Sequence, residues 1–126
     1  MKKLNTKKGG AGIKRLFYDI ETSLGIYSQF GQGWNKTIGM HDEIIDPKII
    51  CICYKWEGEK KVHTIEWELG DDRPLIEKFV DILDDADDII AHNGDGFDLP
   101  WIRGRAIKHD IPMRWDYPIT DTLKMA

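Results

Sequence analysis

The run Leu16-Phe17-Tyr18-Asp19-Ile20-Glu21-Thr22 constrains this chain more than any other stretch. It is short, apolar and rich in strand formers, yet two acids are set into its end. Successive side chains on a strand point to opposite faces, so Asp19 and Glu21 share one face while Leu16, Tyr18 and Ile20 fill the other. Two neighbouring carboxylates on an otherwise buried strand repel each other and resist losing water. A hard divalent cation, Mg²⁺ or Mn²⁺, keeps both ionised through oxygen ligands. The plain alternative is an edge strand whose solvent face is acidic. A third carboxylate arriving from elsewhere in the chain decides between them.

At 126 residues the chain fits one domain, long enough for a real core. A hydrophobic share of 41% with 10% aromatic residues is globular rather than disordered. No apolar run is long enough to span a membrane and no signal-type segment opens the chain, so an intracellular, cytoplasmic protein is expected. Cys51 and Cys53 fall one residue apart on an expected strand and so share a face. Their spacing fits none of the usual zinc patterns, and strand neighbours rarely form a disulfide; buried, reduced thiols are expected. The formal net charge of −4 gives no overall attraction for a polyanion. However, Lys2, Lys3, Lys7, Lys8, Lys14 and Arg15 crowd the start of the chain around Gly9-Gly10-Ala11-Gly12. Residues 1–12 therefore read as a flexible basic arm, either touching phosphates or simply solvated.

After the first strand, a glycine-rich connection runs from about Ser23 to Lys48, with Tyr27, Phe30 and Trp34 placed to stack on bases or to pin the loop to the core. Ile49 to Trp56 reads as a buried central strand. It is joined through Glu57-Gly58-Glu59-Lys60 to a partner strand over Lys61 to Trp67. Asp71 or Asp72 is the expected cap of a helix with Pro74 in its first turn and Leu75, Ile76, Phe79, Val80, Ile82 and Leu83 on its apolar face. Asp81, Asp84, Asp85, Asp87 and Asp88 read as a solvated acidic end. Ile89-Ile90-Ala91 is a short buried strand, followed by the turn His92-Asn93-Gly94-Asp95-Gly96 and a basic helix from about Asp98 to His109. A last strand ends near Thr120, where Asp121 or Thr122 opens another helix. Strand, hairpin, helix, strand, helix, strand implies one α/β domain: a mixed sheet of about five strands with helices on its faces.

Asp98 is the third acid. Parallel strands joined by helices gather functional groups at one sheet edge. Adjacent, parallel first and fourth strands would bring Asp98 to Asp19 and Glu21. The competing role for Asp98 is a helix cap, worth about 1 kcal/mol.

At these residues the chain resembles a family. Asp19-Ile20-Glu21-Thr22, then His92-Asn93-Gly94-Asp95-Gly96-Phe97-Asp98-Leu99-Pro100, is similar to the first two motifs of DnaQ-like 3′–5′ exonucleases of the DEDD superfamily, which have a ribonuclease H-like fold. Thr120-Asp121-Thr122-Leu123-Lys124 resembles phage and bacterial members, and the likeness covers about Ile13 to the end. The resemblance implies phosphodiester hydrolysis by two ions, Mg²⁺ or Mn²⁺, held by Asp19, Glu21 and Asp98. It also implies substrate contacts from Thr22, Asn93 and Phe97, and nucleic acid as partner, DNA in preference to RNA, in a bacterial or phage-infected cell. The family's third motif, a Tyr or His followed by a fourth Asp, has no match here. Residues 13–126 are therefore expected to be a C-terminally truncated exonuclease domain, with a catalytically inactive nucleic-acid-binding module as the alternative. A small-molecule-binding α/β domain is a third reading, but the Asn93-Gly94-Asp95-Gly96 turn lacks the spacing of known phosphate loops.

Overall fold

The computed structural model describes residues 12–27 and 43–125. Most of the expected basic arm and the stretch carrying Phe30 and Trp34 lie outside the described residues. The first strand, β1, runs Arg15–Thr22, and a small antiparallel pair follows, β2 (Ile26–Tyr27) with β3 (Glu43–Ile45). Next come β4 (Ile49–Trp56), β5 (His63–Glu66), helix α1 (Arg73–Asp85), β6 (Asp88–Ala91), helix α2 (Leu99–Lys108) and β7 (Ile119–Asp121). The main sheet has the order β5-β4-β1-β6-β7. β1 is antiparallel to β4 and parallel to β6, which is parallel to β7. This is the mixed α/β sheet of the ribonuclease H-like type.

β1 alternates as its sequence requires: Leu16, Tyr18 and Ile20 are buried, while Phe17, Asp19 and Glu21 are exposed. The buried set joins Ile52, Ile89 and Ala91 from neighbouring strands in a single core. α1 adds Leu75, Ile76, Phe79, Val80 and Leu83, and α2 adds Leu99, Ile102 and Ala106. Each large side chain so buried stabilises the fold by about 1.5–3 kcal/mol. Tyr18 lies tilted against Phe79 with ring centroids 5.5 Å apart. Both described helices thus pack on one face of the sheet. The other face, bearing Asp19 and Glu21, is left uncovered by them.

Several expectations change. The β2–β3 pair was not foreseen, since two- and three-residue strands show no periodicity. β5 is shorter than Lys61–Trp67, and Cys51 and Cys53 are free but only half-buried because they lie on the uncovered face. Of the acidic run, Asp81 and Asp85 are exposed as expected, but the other three acids are engaged. Asp84 accepts a hydrogen bond from the Tyr117 hydroxyl (2.6 Å), Asp87 accepts one from the Lys14 amide (2.8 Å), and Asp88 accepts one from the Thr120 hydroxyl (3.0 Å). These acids tie the end of α1 to the start of β1 and to the last strand. After β7 the chain makes turns rather than a helix.

Of the two expected caps, Asp71 and Asp72, the structure uses the first. Asp72 precedes α1 but makes no side-chain cap bond; Asp71 does that, accepting the Arg73 amide at 3.0 Å. Asp72 is fully buried, and its oxygens accept Arg105 Nε at 2.7 Å, Arg105 Nη2 at 2.9 Å and the Ile49 amide at 3.0 Å. Arg105, on the expected basic helix, is itself buried and also pairs with Asp46. One ion-pair cluster therefore locks α1, α2 and the start of β4 together.

Candidate metal centre

The β1–β6 ladder pairs Arg15 with Asp88, Leu16 with Ile89 and Phe17 with Ile90, and then stops. Beyond it the two strands part. The chain leaving β6 turns through Asn93, whose left-handed backbone (φ 59°) suits an asparagine, into a single π turn over Gly94–Asp98. Gly94 is fixed by packing: a Cβ there would lie 2.7 Å from the Ala91 Cβ. This turn lowers Asp98 into the gap between the strands. Its Oδ2 accepts the Ile20 amide at 3.3 Å, an N–H that the ended ladder leaves without a strand partner.

Asp98 is therefore not a helix cap; it makes no cap bond and its carboxylate faces β1. Only 2% of it is exposed, and among the described residues no Lys, Arg or His pairs with it. Burial, then the charge of Asp19, pushes its carboxyl up to about 6, against the pull of the Ile20 and Asp98 amides, with Asp121 adding to the rise. Asp19, on β1, and Asp98, in the π turn that follows the parallel strand β6, are thus electrostatic neighbours. Glu21, two residues along, is exposed on the same face as Asp19. Thr22 sits at the end of β1, where the β1–β4 register shifts. Phe97 is 38% exposed and tilted against Trp101, with ring centroids 6.0 Å apart. The two rings border an open groove of ≈ 420 Å³ that Asp46, Pro47 and Arg105 also line and that none of Asp19, Glu21 and Asp98 lines.

Two residues of this region had no clear signal in the sequence. Asp121 is buried and clamps the turn, accepting the Asn93 amide at 2.8 Å, the Leu123 amide at 3.0 Å and the Asp95 amide at 3.3 Å. Burial opposes its ionisation, but these amides and Lys124 hold its carboxyl below the usual range. The Tyr18 hydroxyl, buried without a hydrogen-bond partner among the described residues, lies under Gly94. Burial and the charges of Asp98, Asp121 and Asp95 raise its pKa.

A different set, Asp71, Asp72 and His109, brings its ligand atoms within 4.8 Å of one another, which no other group among the described residues does. It suits a cation poorly. The Asp72 oxygens are already taken by Arg105, His109 and the Ile49 amide, and these hold its carboxyl low despite its burial. A guanidinium in contact with the same carboxylate repels a second cation.

The sequence of residues 43–122 matches the family described as a predicted 3′–5′ exonuclease related to the exonuclease domain of PolB. The DNA polymerase of Thermococcus litoralis is 33% identical over 112 residues, 80% of this chain and 6% of the polymerase. That of Thermococcus aggregans is 32% identical over 117 residues, 84% of this chain and 6% of the polymerase. The family B DNA polymerase structure from Pyrobaculum calidifontis superposes with a TM-score of 0.58 at 27% identity, covering 84% of this chain and 12% of that one. The chain thus spans a small part of these relatives' length. The match takes in β4 to β7 and the buried Asp98 between them, and the chain belongs to the family of predicted 3′–5′ exonucleases related to the exonuclease domain of PolB.

Proposed function

We propose that this chain is a metal-dependent 3′–5′ exonuclease unit acting on DNA, with Asp19, Glu21 and Asp98 as the ligands of Mg²⁺ or Mn²⁺. One observation carries the reading: Asp98 is buried beside Asp19 with no cationic partner, so its carboxyl sits at about 6. A bare buried carboxylate is costly, and a divalent cation is the partner its surroundings lack. The donor set is all oxygen, which suits a hard ion.

Ions bound there would supply an activated water and stabilise the leaving 3′ oxygen. The chain's own residues do the rest. Asp98 is held rigid by the Ile20 amide and by the π turn that Asp121 clamps. Asp19 and Glu21 approach from the solvent side, where a phosphate has access. Phe97, the residue before Asp98, and Trp101 offer a ring surface for stacking a terminal base; Asn93 lies in the turn that leads to Asp98, and Thr22 follows Glu21. Asp121 is committed to backbone amides and adds negative charge without acting as a ligand.

The test is hydrolysis of single-stranded DNA labelled separately at either end, with Mg²⁺ or Mn²⁺. Metal-dependent shortening from the 3′ end that disappears in Asp98→Asn supports the reading. Shortening that survives in Asp98→Asn contradicts it, and metal-dependent binding without hydrolysis identifies an inactive nucleic-acid-binding module.

A further inference from the structure

Tyr18 and Tyr117 are buried to nearly the same degree, 6% and 5% exposed, and differ in one respect. The Tyr117 hydroxyl donates to Asp84 at 2.6 Å, whereas the Tyr18 hydroxyl has no partner among the described residues. A buried hydroxyl without a partner lowers stability, and a phenylalanine of the same shape would avoid the loss. The orphaned group lies against the π turn: a Cβ on Gly94, the first residue of that turn, would be 3.3 Å from it. Asp98 is the last residue of the same turn. Its Oδ2 takes the amide of Ile20, which follows Tyr18 by two residues on β1 and is buried on the same face. At 3.3 Å that bond is long for an amide donor. After burial, the charge of Asp98 weighs most on the hydroxyl, ahead of those of Asp121 and Asp95. Two of these acids are already supplied with donors. Asp121 accepts the amides of Asn93, Asp95 and Leu123, and Asp95 pairs with Lys124, while Asp98 has only the amides of Ile20 and its own.

We propose that Tyr18 is a positioning residue of the candidate metal centre: its hydroxyl closes on the Asp98 carboxylate when a cation binds and, with the Ile20 amide, holds the oxygen that the ion does not take. This role, which rests on Asp98 being a ligand, exchanges hydrogen bonds only and transfers no proton. An ion pulls a ligating carboxylate from one side, and a donor on the other side fixes its orientation. Loss of such a donor weakens metal binding by about 10–100-fold. The unpaired hydroxyl of the metal-free protein is satisfied on binding. Its effects on stability and on ion affinity therefore run in opposite directions, which a purely structural tyrosine would not show.

Urea denaturation in metal-free buffer and calorimetric titration with Mn²⁺, on wild type, Tyr18→Phe and Asp98→Asn, test the role without recourse to hydrolysis. Tyr18→Phe should unfold at the same or a higher urea concentration than wild type, and should bind Mn²⁺ about tenfold or more weakly. Mn²⁺ should also shift tyrosine absorption in the near ultraviolet to the red in wild type, as a phenol does on donating to a carboxylate. The shift should be missing from Tyr18→Phe and from Asp98→Asn. Unchanged Mn²⁺ affinity in Tyr18→Phe, with binding weakened in Asp98→Asn, overturns the role of Tyr18 and leaves Asp98 as a ligand. Weaker binding accompanied by a loss of stability in Tyr18→Phe also overturns it, since the hydroxyl would then serve the fold alone. No Mn²⁺ binding in wild type, or affinity untouched by Asp98→Asn, overturns the metal reading and the role of Tyr18 with it.

Discussion

Asp72 and Asp98 occupy equivalent places in the chain and opposite places in its chemistry. Each immediately precedes a helix, each has a proline just after it, and neither uses its side chain to cap that helix. Both are buried. Asp72 has a built-in counter-charge: burial opposes its ionisation, but Arg105, His109 and the Ile49 amide outweigh it and pull its pKa down. Asp98 has only backbone amides, those of Ile20 and its own, and burial with a like-charged neighbour pushes its pKa up. A buried acid that carries its own cation holds the fold together, whereas one without a cation is available to a ligand. The difference separates a structural carboxylate from a candidate catalytic one.

The largest effect should come from removing the structural acid. Asp72→Ala leaves Arg105 buried with half its partners and strands the Ile49 amide, and should lower stability by about 3–5 kcal/mol, read in urea denaturation. Asp98→Asn in metal-free buffer at pH 8 should instead raise stability, because it removes an unpaired buried charge. If both variants lose stability equally, the contrast between the two acids fails.

The second effect is a pH dependence. Because the folded pKa of Asp98, about 6, is above the ordinary aspartate value of 3.8, the native state binds more protons than the unfolded state between those limits. Its contribution is therefore fully present below about pH 4 and lost as pH rises through about 6, amounting to at most about 3 kcal/mol. Other carboxylates titrate in the same range, so the quantity to measure is the difference in stability between wild type and Asp98→Asn across that window. Without divalent ions the difference should grow as pH rises, and with saturating Mg²⁺ it should shrink or reverse. A flat difference in both buffers would contradict the burial of an ionisable Asp98.

Much of this contrast is invisible in the sequence, for a physical reason. The alternation of Leu16, Tyr18 and Ile20 with Asp19 and Glu21 is local, and so are the bounds of β4 and the apolar face of α1. All three are legible from spacing alone. Asp72 looks like a cap because capping rules see only neighbours, while its partner Arg105 lies 33 residues downstream. Asp121 likewise looks like a helix start, although one of its bonds reaches back 28 residues to Asn93. The positions of Asp19 and Glu21 on one face of β1 were legible from strand alternation, and that of Asp98 after β6 from the glycine-bracketed turn. That Asp98 bonds the Ile20 amide depends on where the β1–β6 ladder stops, which no periodicity encodes.

A smaller effect sharpens the comparison on the structural side. Asp71, the residue that does cap α1, should cost about 1 kcal/mol on replacement by Ala, several times less than Asp72. Comparable losses from both would mean that Asp72 acts as a local cap after all.

The central claim is that Asp98 is where a divalent cation binds. Calorimetric titration of Mn²⁺ into wild type, Asp98→Asn and His109→Gln tests it directly, because the His109 variant reports on the competing Asp71-Asp72-His109 cluster. The expected result is Mn²⁺ binding in the wild type, weakened about tenfold or more in Asp98→Asn and unchanged in His109→Gln. Binding that is untouched in Asp98→Asn, or lost in His109→Gln, would contradict it.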